Sequence, residues 1–158
     1  MSLLKSLRRR NNLLKEQGYR RCGAIYEQGN GSIAIGGASS TVTFDNNLAG
    51  GNGGAVYGQN GGVTILGGDI TLSGNTATTG NGGALYAQGN GGETIGGSGS
   101  TVHITGNQAG TNGGAIYAQN GPVTINGDVT LSGNTAASGA GIARCDSRHA
   151  QRPGRRHL

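Results

Sequence analysis

The sequence predicts an all-β chain, a right-handed parallel β-helix (solenoid) of about four three-strand coils with a short basic N-terminal helix and an irregular C-terminal tail. Three observations carry that expectation. The composition cannot supply a compact core of large side chains, because 35 of the 158 residues are glycine, none is tryptophan and one is phenylalanine. The chain matches itself at a period of about thirty residues. Its apolar residues fall in short runs divided by Asn-Gly and Gly-Gly punctuation. There is no Gly-X-Y period and there are only two prolines, which excludes collagen, and the apolar residues recur too regularly for a glycine linker.

Charge divides the chain into a basic leader over residues 1–21, a repeat domain over 22–142 and an Arg-rich tail over 143–158. All twelve Lys and Arg stand outside residues 22–143. The leader has seven of them against Glu16, giving +6, and the tail has five against Asp146, giving +4. The body has Glu27, Asp45, Asp69, Glu93 and Asp128 and carries −5. The overall +5 therefore describes the ends. No specific nucleic-acid partner follows from it, since the arginines of the arms lack interleaved aromatics and any contact there is nonspecific and salt-sensitive.

The leader MSLLKSLRRRNNLLKEQ interrupts its leucines with charges, so it lacks the apolar run of a secretory signal, and no segment approaches a transmembrane span. Leu3, Leu4, Leu7 and Leu14 share one face of a basic helix that caps the stack, touches an anionic surface or is solvated, the cap or solvated reading being preferred. Cys22 and Cys145 bracket the repeats. At about 4.8 Å per stacked strand they sit roughly 15–20 Å apart, so a disulfide between them requires the tail to fold back. Their spacing makes no metal motif.

The segment CGAIYEQGNG aligns with GGAVYGQNGG, GGALYAQGNG and GGAIYAQNGP. Asn30, Asn60, Asn90 and Asn120 form one column and Ile35, Ile65, Ile95 and Ile125 another, while Tyr26, Tyr57, Tyr86 and Tyr117 keep the same rhythm within one residue. Each period holds three strand-like runs, as in AVYGQ, VTIL and DITLSGN. In the third run Val42 and Phe44, Ile70 and Leu72, Val102 and Ile104, and Val129 and Leu131 alternate with Thr43, Thr71, His103 and Thr130, which points the apolar set inward. Asn47, Asn75, Asn107 and Asn134 follow it and predict a ladder of side-chain amides along the axis. Longer corners, GGASST and GGSGST, occur in the first and third coils only, so a two-coil unit was duplicated.

The paired motifs GGA-[ILV]-Y, at Gly53–Tyr57, Gly82–Tyr86 and Gly113–Tyr117, and [FLI]-x-x-N, ending on the four asparagines, resemble the polymorphic outer membrane protein repeat with its GGAI and FxxN tetrapeptides. Only Phe44 keeps the aromatic of FxxN; Leu72, Ile104 and Leu131 replace it. That repeat belongs to chlamydial and related bacterial surface proteins. The resemblance implies a β-helical passenger exported by an autotransporter barrel, an extracellular or outer-membrane location, and adhesion to a host-cell surface protein or glycan. The expected function is structural or adhesive and non-catalytic. A fifth GGA copy stops at GNTAASGAGIA, and neither a signal nor a barrel is recognisable, so a fragment or gene remnant without independent function is the first alternative. A polysaccharide-binding or polysaccharide-cleaving β-helix is the second. Open end coils predict end-to-end self-association.

No residue earns a catalytic, cofactor-binding or metal-ligating role on sequence. Asp69 and Asp128 share a column two coils apart, about 9–10 Å, too far to chelate one ion together. His103 replaces threonine in an outward column and is expected to be exposed. Glu93 interrupts a column of Ile33, Val63 and Val123, and the expected resolution is a corner that faces solvent. The candidate binding residues are Tyr26, Tyr57, Tyr86 and Tyr117. Ile25, Val56, Leu85 and Ile116 take the inward places beside them, so the rings face out as a stripe that either stacks on sugar rings or a protein partner, or fixes register by mutual stacking.

Overall fold

Runs of two to five residues are too short to pair with their sequence neighbours, so each strand satisfies its backbone against its equivalent one coil away. A computed structural model describes residues 23–139 and 142–144, and in it this rule produces a parallel β-solenoid of about four turns. Coil 1 holds β1 (Ile25–Glu27), β2 (Ile33–Gly36), β3 (Thr41–Asp45) and β4 (Leu48–Ala49). Coil 2 holds β5 (Val56–Gly58), β6 (Val63–Leu66), β7 (Asp69–Ser73) and β8 (Thr76–Ala77). Coil 3 holds β9 (Leu85–Ala87), β10 (Glu93–Ile95), β11 (Thr101–Thr105) and β12 (Gln108–Ala109). Coil 4 holds β13 (Ile116–Ala118), β14 (Val123–Ile125), β15 (Asp128–Ser132) and β16 (Thr135–Ala136), and β17 (Ile142–Arg144) opens a fifth turn.

Equivalent strands stack as four sheets: sheet I is β1-β5-β9-β13-β17, sheet II β2-β6-β10-β14, sheet III β3-β7-β11-β15 and sheet IV β4-β8-β12-β16. The coil thus has a fourth strand beyond the three that the sequence predicts. Its two residues are too few to show alternation, and one of them is alanine, a weak β-former. They are strands because Ala49, Ala77 and Ala109 are buried and the ladder asparagine just before them sets their register.

The apolar columns meet as their spacing predicts. Val42 lies opposite Ile70, Val102 opposite Ile70 and Val129, and Phe44, Leu72, Ile104 and Leu131 form the parallel column. Val42, Ile70, Leu72, Val102 and Ile104 join Val56, Leu85, Ile116, Val63, Ile65 and Ile95 in one continuous core, with Phe44 packed against it, while Val129 and Leu131 of the last coil stay exposed. The Gly-Gly-Ala turns are dictated by that stacking. Gly53 takes φ +63°, a left-handed conformation that L side chains rarely adopt. A Cβ on Gly54 would overlap the carbonyl oxygen of Gly83 one coil on, so only glycine permits the coils to approach there. The alanine that follows, Ala55, Ala84 or Ala115, is fully buried.

The interrupted fifth GGA copy still forms its strand, with Ile142 opposite Ile116, and β17 runs on to Arg144, two residues past the expected boundary of the repeat domain. The predicted basic helix of the leader, both cysteines and the rest of the Arg-rich tail lie outside the described residues. No helix among the described residues is long and apolar enough to cross a membrane.

Candidate functional site

The tyrosine column is built by sheet I, whose register places Tyr26 opposite Tyr57, Tyr57 opposite Tyr86 and Tyr86 opposite Tyr117. Val56, Leu85 and Ile116 beside them belong to the continuous apolar cluster, and the tyrosines, two of them buried, lie outside it on the other face of the strand. The rings do not make a flat exposed stripe, however. Successive centroids are 5.0, 4.8 and 5.5 Å apart, with interplanar angles of 47°, 67° and 9°. Tyr57 is 7% and Tyr86 4% exposed, while Tyr26 and Tyr117 are half-buried.

Their hydroxyls are engaged as well. Tyr26 donates to Gln59 Oε1 at 2.7 Å, Tyr57 to Gln88 Oε1 at 2.7 Å and Tyr86 to Gln119 Oε1 at 2.6 Å. Each acceptor stands two residues after the tyrosine of the next coil, so ring contacts and hydrogen bonds both tie coil to coil. Two rings at the middle of the column have no face free for a sugar, because packing, with the tilt between rings, covers them. The glutamine partners were missed on sequence. The repeated Tyr-x-Gln at Tyr57, Tyr86 and Tyr117 was the available signal.

Beside the column run two asparagine ladders. In the predicted one, the backbone N–H and Nδ2 of Asn47, Asn75 and Asn107 donate to Oδ1 of Asn75, Asn107 and Asn134, at 2.8–3.0 Å. Nδ2 of Asn75, Asn107 and Asn134 also donates to the carbonyls of Phe44, Leu72 and Ile104. The FxxN tetrapeptide is thereby explained: its apolar residue fills the core and its asparagine closes the turn that follows. The second ladder, Asn52, Asn81 and Asn112, runs with the opposite polarity, Asn81 N–H donating to Asn52 Oδ1 at 2.8 Å and Asn112 N–H to Asn81 Oδ1 at 3.1 Å. It went unread, although each member directly precedes a Gly-Gly-Ala turn.

The outward face of sheet III is the polar surface left open. Its register aligns three columns: Thr41, Asp69, Thr101 and Asp128; Thr43, Thr71, His103 and Thr130; and Asp45, Ser73, Thr105 and Ser132. His103 is exposed, as expected, between Thr71 and Thr130. Asp69 and Asp128 are separated by Thr101. Hydroxyls and carboxylates therefore recur about every 4.8 Å along the axis and about 7 Å along each strand. Ser73 Oγ donates to Asp45 Oδ1 at 2.5 Å, which ties two members of this lattice together. Among the described residues no three of His, Cys, Asp and Glu gather as metal ligands would.

Glu93 overturns its expected place. It stands in β10 between Val63 and Val123 in the inward column and is 1% exposed, with neither carboxyl oxygen hydrogen-bonded. Burial pushes its carboxyl well above the usual carboxylate range; the backbone of Ala87 opposes that shift without satisfying either oxygen. Strand register wins over side-chain polarity here, because turning Glu93 outward would also turn Ile95 out of the core.

The Chlamydia polymorphic membrane protein repeat matches the chain over residues 41–59, 69–88 and 101–119. No curated protein and no solved structure matches it. Each match begins on the first residue of a sheet III strand, passes through the ladder asparagine and the Gly-Gly-Ala turn, and ends on the glutamine after the tyrosine. The matched unit is thus the part of the coil that carries both tetrapeptides and the coil-to-coil bonds, and the Chlamydia polymorphic membrane protein repeat matches it in three consecutive coils.

Proposed function

We propose that this chain is a non-catalytic, adhesive segment of a bacterial surface protein, a stiff solenoid whose outward sheet III face contacts host-cell glycans. The observation that supports it most is the division of labour among the motifs. The repeat's tetrapeptides go into core, turn and ladder, while sheet III presents twelve outward positions occupied only by Thr, Ser, Asp and His. Polar groups at a fixed lattice spacing on a parallel sheet suit a hydroxyl-rich ligand, since each can donate or accept without a new cavity being formed. The tyrosines act in this reading as register-fixing pairs, with their hydroxyls on glutamines.

Binding of the full chain to host cells and to a glycan array tests the proposal. Replacing Thr71 and Thr130 together by lysine should abolish binding, Tyr86→Phe should leave it intact, and glycosidase treatment of the cells should remove the receptor. Binding that survives both the lysine pair and the glycosidase would overturn it, as would binding that disappears with Tyr86→Phe while the fold is retained.

A further inference from the structure

The two ends of the solenoid are complementary. At the coil 4 end β14, β15 and β16 are the last strands of their sheets, and at the coil 1 end β2, β3 and β4 are the first strands of the same sheets. Val129 and Leu131 are 39% and 47% exposed at the first of these ends. Leu131, Gly133, Asn134 and Ile142 line an open, largely apolar depression there. At the other end Phe44 and Ile35 are only half-buried. Because Phe44, Leu72, Ile104 and Leu131 form one column, Phe44 of a second copy is the residue that a further repeat would set over Leu131. The first asparagine ladder has direction too. Every Oδ1 after the first receives donors from the preceding coil, and Asn47 Oδ1, the first, is buried with no partner.

We infer that copies of this chain stack head to tail, β14, β15 and β16 of one pairing in parallel with β2, β3 and β4 of the next, so that Asn134 of the first copy donates toward Asn47 of the second. Such a contact is heterologous and does not close, so it grows into filaments instead of stopping at a symmetric dimer. Two features restrain it. Sheet I has five strands where the others have four, so β17 of one copy and β1 of the next compete for one layer, and a three-residue strand must be released at each junction. The chain also leads from both ends directly into basic segments, residues 1–21 at +6 and residues 144–158 at +4. These repel across the junction over about a Debye length, roughly 10 Å at 0.1 M salt, so association strengthens as salt rises.

Sedimentation velocity of the full chain across protein and NaCl concentration, with electron microscopy of the largest species, tests this. The expected result is open-ended growth in mass that increases with salt. Leu131→Lys and Phe44→Lys, each checked for folding by circular dichroism, should both remain monomeric, and their equimolar mixture should form a dimer and nothing larger, since one intact head then meets one intact tail. Leu66→Lys, a substitution at a residue 39% exposed on the flank of coil 2, should polymerise as the parent does. Three outcomes overturn the inference: a parent chain that stays monomeric at high salt, single variants that dimerise on their own, or loss of assembly in Leu66→Lys.

Discussion

Strands β7 and β15 have nearly the same sequence, DITLS and DVTLS, and opposite environments. Ile70 and Leu72 in β7 are fully buried, whereas Val129 and Leu131 at the same register are 39% and 47% exposed. Nothing within the two strands accounts for this. β7 lies between β3 and β11, while β15 has β11 alone. Burial in this molecule is a property of the stack, and an identical motif contributes to stability only where a coil sits on each side of it. The interior coils therefore hold the fold, and the end coils are where it is open to change.

The largest test of that comparison removes the same atoms from both strands. Leu72→Ala should cost about 2–5 kcal/mol, the usual range for a leucine truncated in a closed core. Leu131→Ala should cost under about 1.5 kcal/mol, because much of the side chain is in water already. Urea unfolding of the two variants beside the parent gives both numbers. Equal losses would mean that coil 4 is covered in solution and that the ends do not differ from the interior.

Glu93 breaks the comparison from inside, since it places an unsatisfied carboxyl in a coil that has neighbours on both sides. Glu93→Val restores the residue of its column and should stabilise the chain by about 1–3 kcal/mol in acid, where the carboxyl is neutral and costs what an unpaired buried polar group costs, and by more as pH rises. The pH dependence has a definite sign. The folded-state pKa is raised, so the unfolded chain ionises at about pH 4.3 while the folded chain keeps its proton. Stability is then greatest in acid and falls by about 1.4 kcal/mol per pH unit from that point until pH passes the raised folded value. Among the described residues no cation compensates. β6 and β14 present Val63, Ile65, Val123 and Ile125 to this core, and His103 is exposed on β11. Subtracting the Glu93→Val profile from the parent profile removes the other carboxylates, and a flat difference between pH 4 and pH 7 would show that Glu93 reaches water.

The columns were legible in the sequence wherever one residue repeats at one spacing. Val42 to Val129, Phe44 to Leu131 and Asn47 to Asn134 all meet in the register that their spacing implies. Sheet IV was not read, although Ala49, Ala77, Ala109 and Ala136 recur two residues after the ladder asparagines, because a two-residue strand is too short to show alternation. The tyrosines show a different limit. Alternation correctly assigns them to the outside of the strand, but whether an outward ring is covered depends on tilt between rings and on what packs beside it, and neither is encoded in a column of identical letters. Glu93 shows a third. A polar residue in an apolar column carries no mark of which side yields, and register, enforced by every other residue of β10, proved stronger than the preference of one carboxylate for water.

The asparagine ladder gives the finest version of the same comparison. Asn107 accepts from Asn75 N–H and Nδ2 and donates to Leu72 O and Asn134 Oδ1, all at 2.9 Å, in a fully buried setting. Asn107→Ala deletes the acceptor for a buried N–H and removes the amide donor to the carbonyl of Leu72, and should cost about 2–3 kcal/mol. Asn134 makes the equivalent bonds to Asn107 and Ile104, yet it is half-buried at the open end. Water can replace much of what Asn134→Ala removes, so about 1 kcal/mol is expected there. Amide hydrogen exchange separates the two without relying on global unfolding: the Asn75 N–H should lose protection in Asn107→Ala and keep it in Asn134→Ala. If both variants deprotect Asn75 equally, the ladder acts as one cooperative unit along the whole axis, and position within the stack does not set the worth of each rung.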